Sequence, residues 1–116
     1  MASQEGRSTN KSPFFTGANY AFWKIRMKAY IMSLGLEVWD AVEFGYSTKP
    51  TDSEKEAKQN FVANAKAMNA ILSGLCEVDF IKIMHSKTAK DMWDTLENIH
   101  EGNKKVKTAK LQIYRA

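Results

Sequence analysis

The stretch PFFTGANYAFWKIRM, residues 13–27, sets aromatic rings and a Gly-Ala-Asn turn against a basic, Trp-bearing segment. Such a stretch serves as a stacking platform for nucleic acid, as a ligand pocket, or as the entry to a buried helix. Spacing decides between them. Asn19 stands where a helix N-cap is wanted, and Tyr20, Trp23, Met27, Tyr30, Ile31 and Leu34 follow at intervals of three and four, one stripe along a helix. Trp23 is in register with that stripe, so the rings fill a core, where large aromatics give much buried area at small entropic cost. A stacking platform displays its rings among basic residues on an exposed surface, whereas Lys24, Arg26 and Lys28 fall mostly on the opposite side of this helix. Phe14 and Phe15 precede the cap, and one of them is expected to pack back on the first turn as a hydrophobic staple, with Gly17 letting the chain reverse.

Downstream punctuation extends the helical reading to five or six helices. Gly35 ends the first, and a short second one runs from Leu36 to about Glu43 with Trp39 and Val42 three apart. FGYSTKPTD is a loop, after which Thr51 and Glu54 form a capping box for a long helix whose stripe is Ala57, Phe61, Ala65, Met68 and Leu72, closed by Ser73 and Gly74. EVDFIKIM, residues 77–84, reads as helix from its context, although eight residues do not by themselves separate helix from strand. Thr88 and Asp91 are in capping-box register ahead of Ala89, Met92, Trp93, Leu96 and Ile99, and Gly102 stands where a helix stop is wanted. Another helix begins at Asn103. No Gly, Asn or Pro follows Lys110, so that helix is expected to be cut and the polypeptide to continue. Trp23 and Trp93 are expected in one core cluster with Met27, Phe61, Met68 and Leu96.

Composition narrows the function classes. A chain of 116 residues, 44% hydrophobic and 26% charged, fits one domain. Its single Cys76 excludes an internal disulfide and a CxxC zinc site, which points to a reducing compartment. No apolar run approaches the roughly 18 residues of a membrane span, and residues 1–12, polar throughout, form neither a signal peptide nor a myristoylation site. They are expected to be a disordered tail, with order beginning at Pro13. Residues 1–101 carry 12 basic and 13 acidic side chains, residues 102–116 five basic and none acidic, so the basicity is a C-terminal patch of Lys104, Lys105, Lys107, Lys110 and Arg115. A domain-wide nucleic-acid binder spreads its charge along a face instead.

Catalytic chemistry is thin. GxSxG, HExxH and phosphate-cradling glycine loops are missing from the sequence. Cys76 reads as a small buried hydrophobe, His85 and His100 as surface or capping residues, and Asp91 and Asp94 fall off the Trp93 stripe, where neither is buried enough to act as an acid–base partner.

Two separated blocks carry a resemblance. PFFTGANYAFWKIRM followed by GLEVWDAVEFGY, and then TAKDMWDTLENIHEGNKKVKTAKLQ, resemble the Gag polyprotein of copia-type LTR retrotransposons, abundant in plants. The residues concerned are Phe15, Gly17, Asn19, Tyr20, Trp23 and Met27 in the first block, Trp39 as a core ring between the blocks, and Thr88, Ala89, Trp93, Leu96, Glu101, Gly102, Val106, Lys107 and Leu111 in the second. Where the family usually has Tyr before the Glu-Gly pair, this chain has His100 and keeps a ring.

The resemblance implies the N-terminal lobe of a capsid domain: an all-α bundle over residues 13–102, with residues 103–116 starting a linker helix. It implies a structural, non-enzymatic Gag lobe that self-assembles in the cytoplasm into virus-like particles around the element's RNA. The partner would be the chain itself. RNA would be held mainly by a second lobe and a Cys/His zinc knuckle that the family places downstream and this sequence lacks. No cofactor, metal, membrane or small-molecule substrate is expected. Apolar residues on two sides of the last helix, Val106 and Ile113 on one and Leu111 and Tyr114 on another, are the candidate assembly residues. The alternative is a domesticated, Gag-derived module that binds a peptide near PFFTG or RNA through Lys104, Lys105, Lys107 and Lys110. On this reading, hydrogen exchange should find residues 1–12 at near-coil rates, and neither zinc nor ATP should raise the melting temperature; a shift of several degrees with either would overturn the non-enzymatic reading.

Overall fold

A computed structural model of the chain describes residues 11–47 and 49–115, with side chains as far as Gly102. Among them run five helices: α1 Tyr20–Leu34, α2 Leu36–Phe44, α3 Glu54–Ser73, α4 Glu77–Ile83 and α5 Ala89–Arg115. The class is all-α, as expected. Residues 1–10 of the expected tail lie outside the described residues, as do the side chains of Lys104, Lys105, Val106, Lys107, Lys110, Leu111, Ile113 and Tyr114.

α2 is the hub, packing against α1, α3 and α5, while α3 also meets α5 and α4 rests on α5. α1 buries Tyr20, Trp23, Met27 and Ile31, the stripe read from the sequence, though Leu34 at its end stays exposed. Asn19 occupies the cap position without capping. It adopts the left-handed region at φ 60° and its side chain makes no cap bond, because with Gly17 at φ 105° it reverses the chain between Phe15 and α1. At Gly35 the chain turns at φ 146°, a value that favours glycine, and α2 starts at once.

The capping box of α3 lies two residues beyond its expected place. Asp52 closes a turn on Lys49, its backbone N–H donating to the Lys49 carbonyl (2.9 Å) and its carboxylate accepting from the Lys49 N–H (2.8 Å), which keeps Thr51 out of the helix. Ser53 is therefore the cap: its Oγ accepts from the Glu56 N–H (3.1 Å) and the Glu56 carboxylate accepts from the Ser53 N–H (2.9 Å). The buried face of α3 is also rotated from expectation, to Ala63, Asn64, Ala67, Ala70 and Ile71. Phe61 is 59% exposed and outside the core, Ala65 is exposed, Ala57 is half-buried, and Met68 and Leu72 only flank the core. Small side chains let α3 approach its neighbours closely, a constraint that outranks the size of any one ring. Asn64 adds a tertiary cap, its carbonyl accepting the first N–H of α5, at Ala89, at 3.0 Å. Thr88 supplies the next, its hydroxyl accepting from the Asp91 N–H at 3.1 Å.

α5 overturns the expected stop at Gly102 and the separate helix at Asn103: it is one helix of 27 residues. Gly102 is not among the glycines with positive φ, so it costs propensity without breaking the helix.

The N-terminal strand-like segment is pinned across the α3–α4 turn. Phe15 and Leu75 form an isolated parallel bridge, the Phe15 N–H donating to the Gly74 carbonyl at 2.7 Å, and the Trp23 indole N–H donates to the Pro13 carbonyl at 3.0 Å. This contact needs glycine at 74: a Cβ there would lie 2.5 Å from the Pro13 carbonyl oxygen and 2.6 Å from Met27 Cε. Gly74→Ala should therefore destabilise the lobe by about 1–3 kcal/mol, whereas Gly102→Ala, in open space, should leave stability unchanged or raise it by about 0.5–1 kcal/mol. Thermal melts of the two variants check the contrast, and equal melts would show that the pinned segment is dispensable.

Candidate functional site

The pinned segment, α1, α2 and α5 meet in a continuous run of rings. Phe15 lies edge-on to Tyr20 (5.8 Å), Tyr20 lies beside Trp23 (5.7 Å), Trp23 stacks on Trp93 (6.0 Å, 28°), and Trp93 meets Trp39 edge-on (5.3 Å, 83°). Phe15 is the staple expected of the Phe14–Phe15 pair, and Phe14 is exposed. The structure thus brings together Phe15, Tyr20, Trp23, Met27, Trp39, Trp93 and Leu96, with Trp39 only partly buried; Gly17 and Asn19 make the adjoining turn, and Gly102 stands apart.

His100 belongs to this junction, a correction to its reading as a surface or capping residue. Its ring stacks on Tyr20 (4.9 Å, 18°) and meets Phe15 edge-on (4.9 Å, 88°), while Nε2 lies 3.2 Å from the buried carboxylate of Asp79. Asp79, 3% exposed, also accepts from the half-buried Cys76 thiol at 3.6 Å, so it is satisfied from its own helix and from α5. Spacing gives no hint of a pair 21 residues apart; the available signal for His100 was the family's ring at that position. His85 is exposed, as expected.

Charge gathers beside the rings. Lys24 reaches across from α1 to Glu97 and to Glu101 (3.3 Å) on α5. Burial pulls the Lys24 ammonium down, but the two carboxylates outweigh it and hold its pKa above the ordinary lysine value. Burial pushes the Tyr20 phenol well above its ordinary value, and Glu101, Glu97 and Asp94 push it further. Among the described residues the Tyr20 hydroxyl has no hydrogen-bond partner. Asp94 pairs with Lys90 at 2.8 Å and Asp91 is exposed, an arrangement suited to a solvated helix face rather than to acid–base chemistry. A shallow groove of about 410 Å³ opens over Trp39 and Trp93, edged by Lys24, Ile25, Lys28 and Glu101.

No group of three His, Cys, Asp or Glu side chains among the described residues is placed to hold a metal ion, and no helix among them is long and apolar enough to cross a membrane. Large apolar side chains lie exposed on the outer faces: Phe22 and Ile25 on α1, Leu36 and Phe44 on α2, Val78 and Ile81 on α4. An open cleft of about 550 Å³ between α2 and α3 is lined by Glu37, Lys55, Lys58, Asn60 and Lys66.

Residues 27–115 match the family model described as the gag-polypeptide of LTR copia-type. Neither a curated protein nor a solved structure matches the chain. The matched span holds Trp39, Trp93 and His100, whereas Phe15, Tyr20 and Trp23 precede it.

Tyr20 and Lys24 carry the same pH sign. Each holds its proton more tightly in the folded chain, so its contribution is complete below the unfolded pKa, near 10 for either group, and is lost as pH rises beyond it. Tyr20→Phe should keep or slightly raise stability at pH 7, since it removes a buried, unpartnered hydroxyl, and should lessen the loss above about pH 10. Denaturant melts at pH 7 and pH 10.5 check this; a variant as alkali-sensitive as the parent would remove Tyr20 from the account.

Proposed function

We propose that this chain, which belongs to the copia-type Gag family, acts as a structural capsid lobe that associates with its own copies to build virus-like particles around the element's RNA. The Gag-like role rests on the family match over residues 27–115. One observation carries assembly: exposed apolar side chains recur on successive helices, including Ile25 at 71%, Leu36 at 66%, Phe44 at 73% and Val78 at 63%. A monomer of this size rarely leaves so much on its helix faces without a partner for it.

The partner is the chain itself, in the cytoplasm. RNA is contacted mainly by regions that the family places downstream, and the lysines 104, 105, 107 and 110 add a non-specific attraction to phosphate. The sequence of α5 beyond Gly102, with Val106 and Ile113 on one side and Leu111 and Tyr114 on another, adds a candidate assembly strip. The ring-lined junction at the centre of the lobe supports the reading as a scaffold.

Sedimentation across a range of protein and salt concentrations tests the reading. The chain should gain mass with concentration, more so at higher salt, because salt screens like charges while leaving apolar contact intact. Leu111→Ser with Tyr114→Ser should reduce that association. A strict monomer at high concentration, or mass gained only when a peptide or RNA is added, would favour a domesticated binding module instead.

A further inference from the structure

α1 is apolar on two opposite faces. Opposite its buried stripe run Phe22, Ile25, Ala29 and Met32, exposed at 56%, 71% and 39% for the three large side chains, with Ala29 also exposed. A helix that is apolar on both sides is covered on both sides. From the sequence alone this second strip is hidden by the first, because the aromatic stripe accounts for the helix by itself.

We propose that this outer strip pairs with the same strip of a second copy, the two α1 helices lying antiparallel about a two-fold axis near Met27. The inference rests on the assembly reading above and names one of its contacts. The intervals, three, four and three, read the same in both directions, so an antiparallel partner sets Ile25 opposite Ala29 and Phe22 opposite Met32. Large meets small in the middle, and a ring meets a thioether at each end, a favourable contact in its own right. Of the cations beside the strip, the Arg26 guanidinium lies over the Phe22 ring at 5.6 Å and so edges the seam, while the Lys28 ammonium lies over Trp39 at 5.1 Å, away from it. A second copy needs only the apolar seam between them. The seam covers roughly 300–400 Å² per copy, about half of a standard stable interface, so the pairing is weak and concentration-dependent, as suits one contact among several in an assembly.

The experiment uses the whole chain. Sedimentation equilibrium compares the parent with Ile25→Asp and with Arg26→Gln; the Asp variant should weaken dimerisation about tenfold or more, and the Gln variant should tighten it by removing like charges that face each other across the axis. Both positions are exposed, so melting temperatures should hold and report on folding separately. In a Cys76→Ser background, Ile25→Cys with Ala29→Cys should give an oxidised covalent dimer, and Lys58→Cys should not. If the parent associates while Ile25→Asp and the cysteine pair change nothing, this pairing is overturned and the assembly reading stands. If the parent stays monomeric throughout, both fall.

Discussion

The lobe depends on a backbone contact across the α3–α4 turn, where residues 13–15 lie against Gly74 and Leu75. That contact places a carbonyl at the one spot where the buried Trp23 indole needs an acceptor, and it drives Phe15 under the first turn of α1. An indole N–H buried without a partner would cost about 1–3 kcal/mol, so the ring run from Phe15 to Trp39 is affordable only with this segment in place. A glycine at 74 makes the approach possible, and left-handed backbone at Gly17 and Asn19 makes the return to α1 possible. Helices that are distant in sequence thus share one anchor at residues 13–15.

Polar groups fix the orientation of the remaining helices. Asn64 ties α3 to the first turn of α5, and Asp79 ties α4 to His100. Apolar packing alone permits many rotations of a short helix such as α4, but a buried carboxylate with two donors permits few. α4 is consequently turned so that Asp79 and Ile83 face inward while Val78 and Ile81 face outward.

The sequence was most readable where one face of a helix is both aromatic and regularly spaced. The stripe of α1 and the face of α5 with Met92, Trp93 and Leu96 follow from three-and-four spacing, the break at Gly35 from its glycine, and the helical character of residues 77–83 from context. It misled where size and contact disagree: Phe61 is the largest residue of its apparent stripe, yet the alanines of α3 take the core because they admit closer helices. Local signals also failed where a competing local structure won, as the Lys49–Asp52 turn did over Thr51, and where glycine lacked the left-handed turn that would make it a stop, as at Gly102. Of the junction, the rings of Tyr20, Trp23, Trp39 and Trp93 were readable, but not its closure by His100 and Asp79, a pairing set by tertiary geometry alone.

The tryptophans of this chain are three, and all stand in one unbroken file, Trp23 to Trp93 to Trp39. Excitation energy passes readily between indoles this close, so their emission and near-ultraviolet dichroism belong to the file and not to separate sites. The indoles therefore act as a single reporter, seated where α1, α2 and α5 meet. Loosening of that meeting point would register in every indole signal together, while a change confined to α4 would leave those signals unaltered.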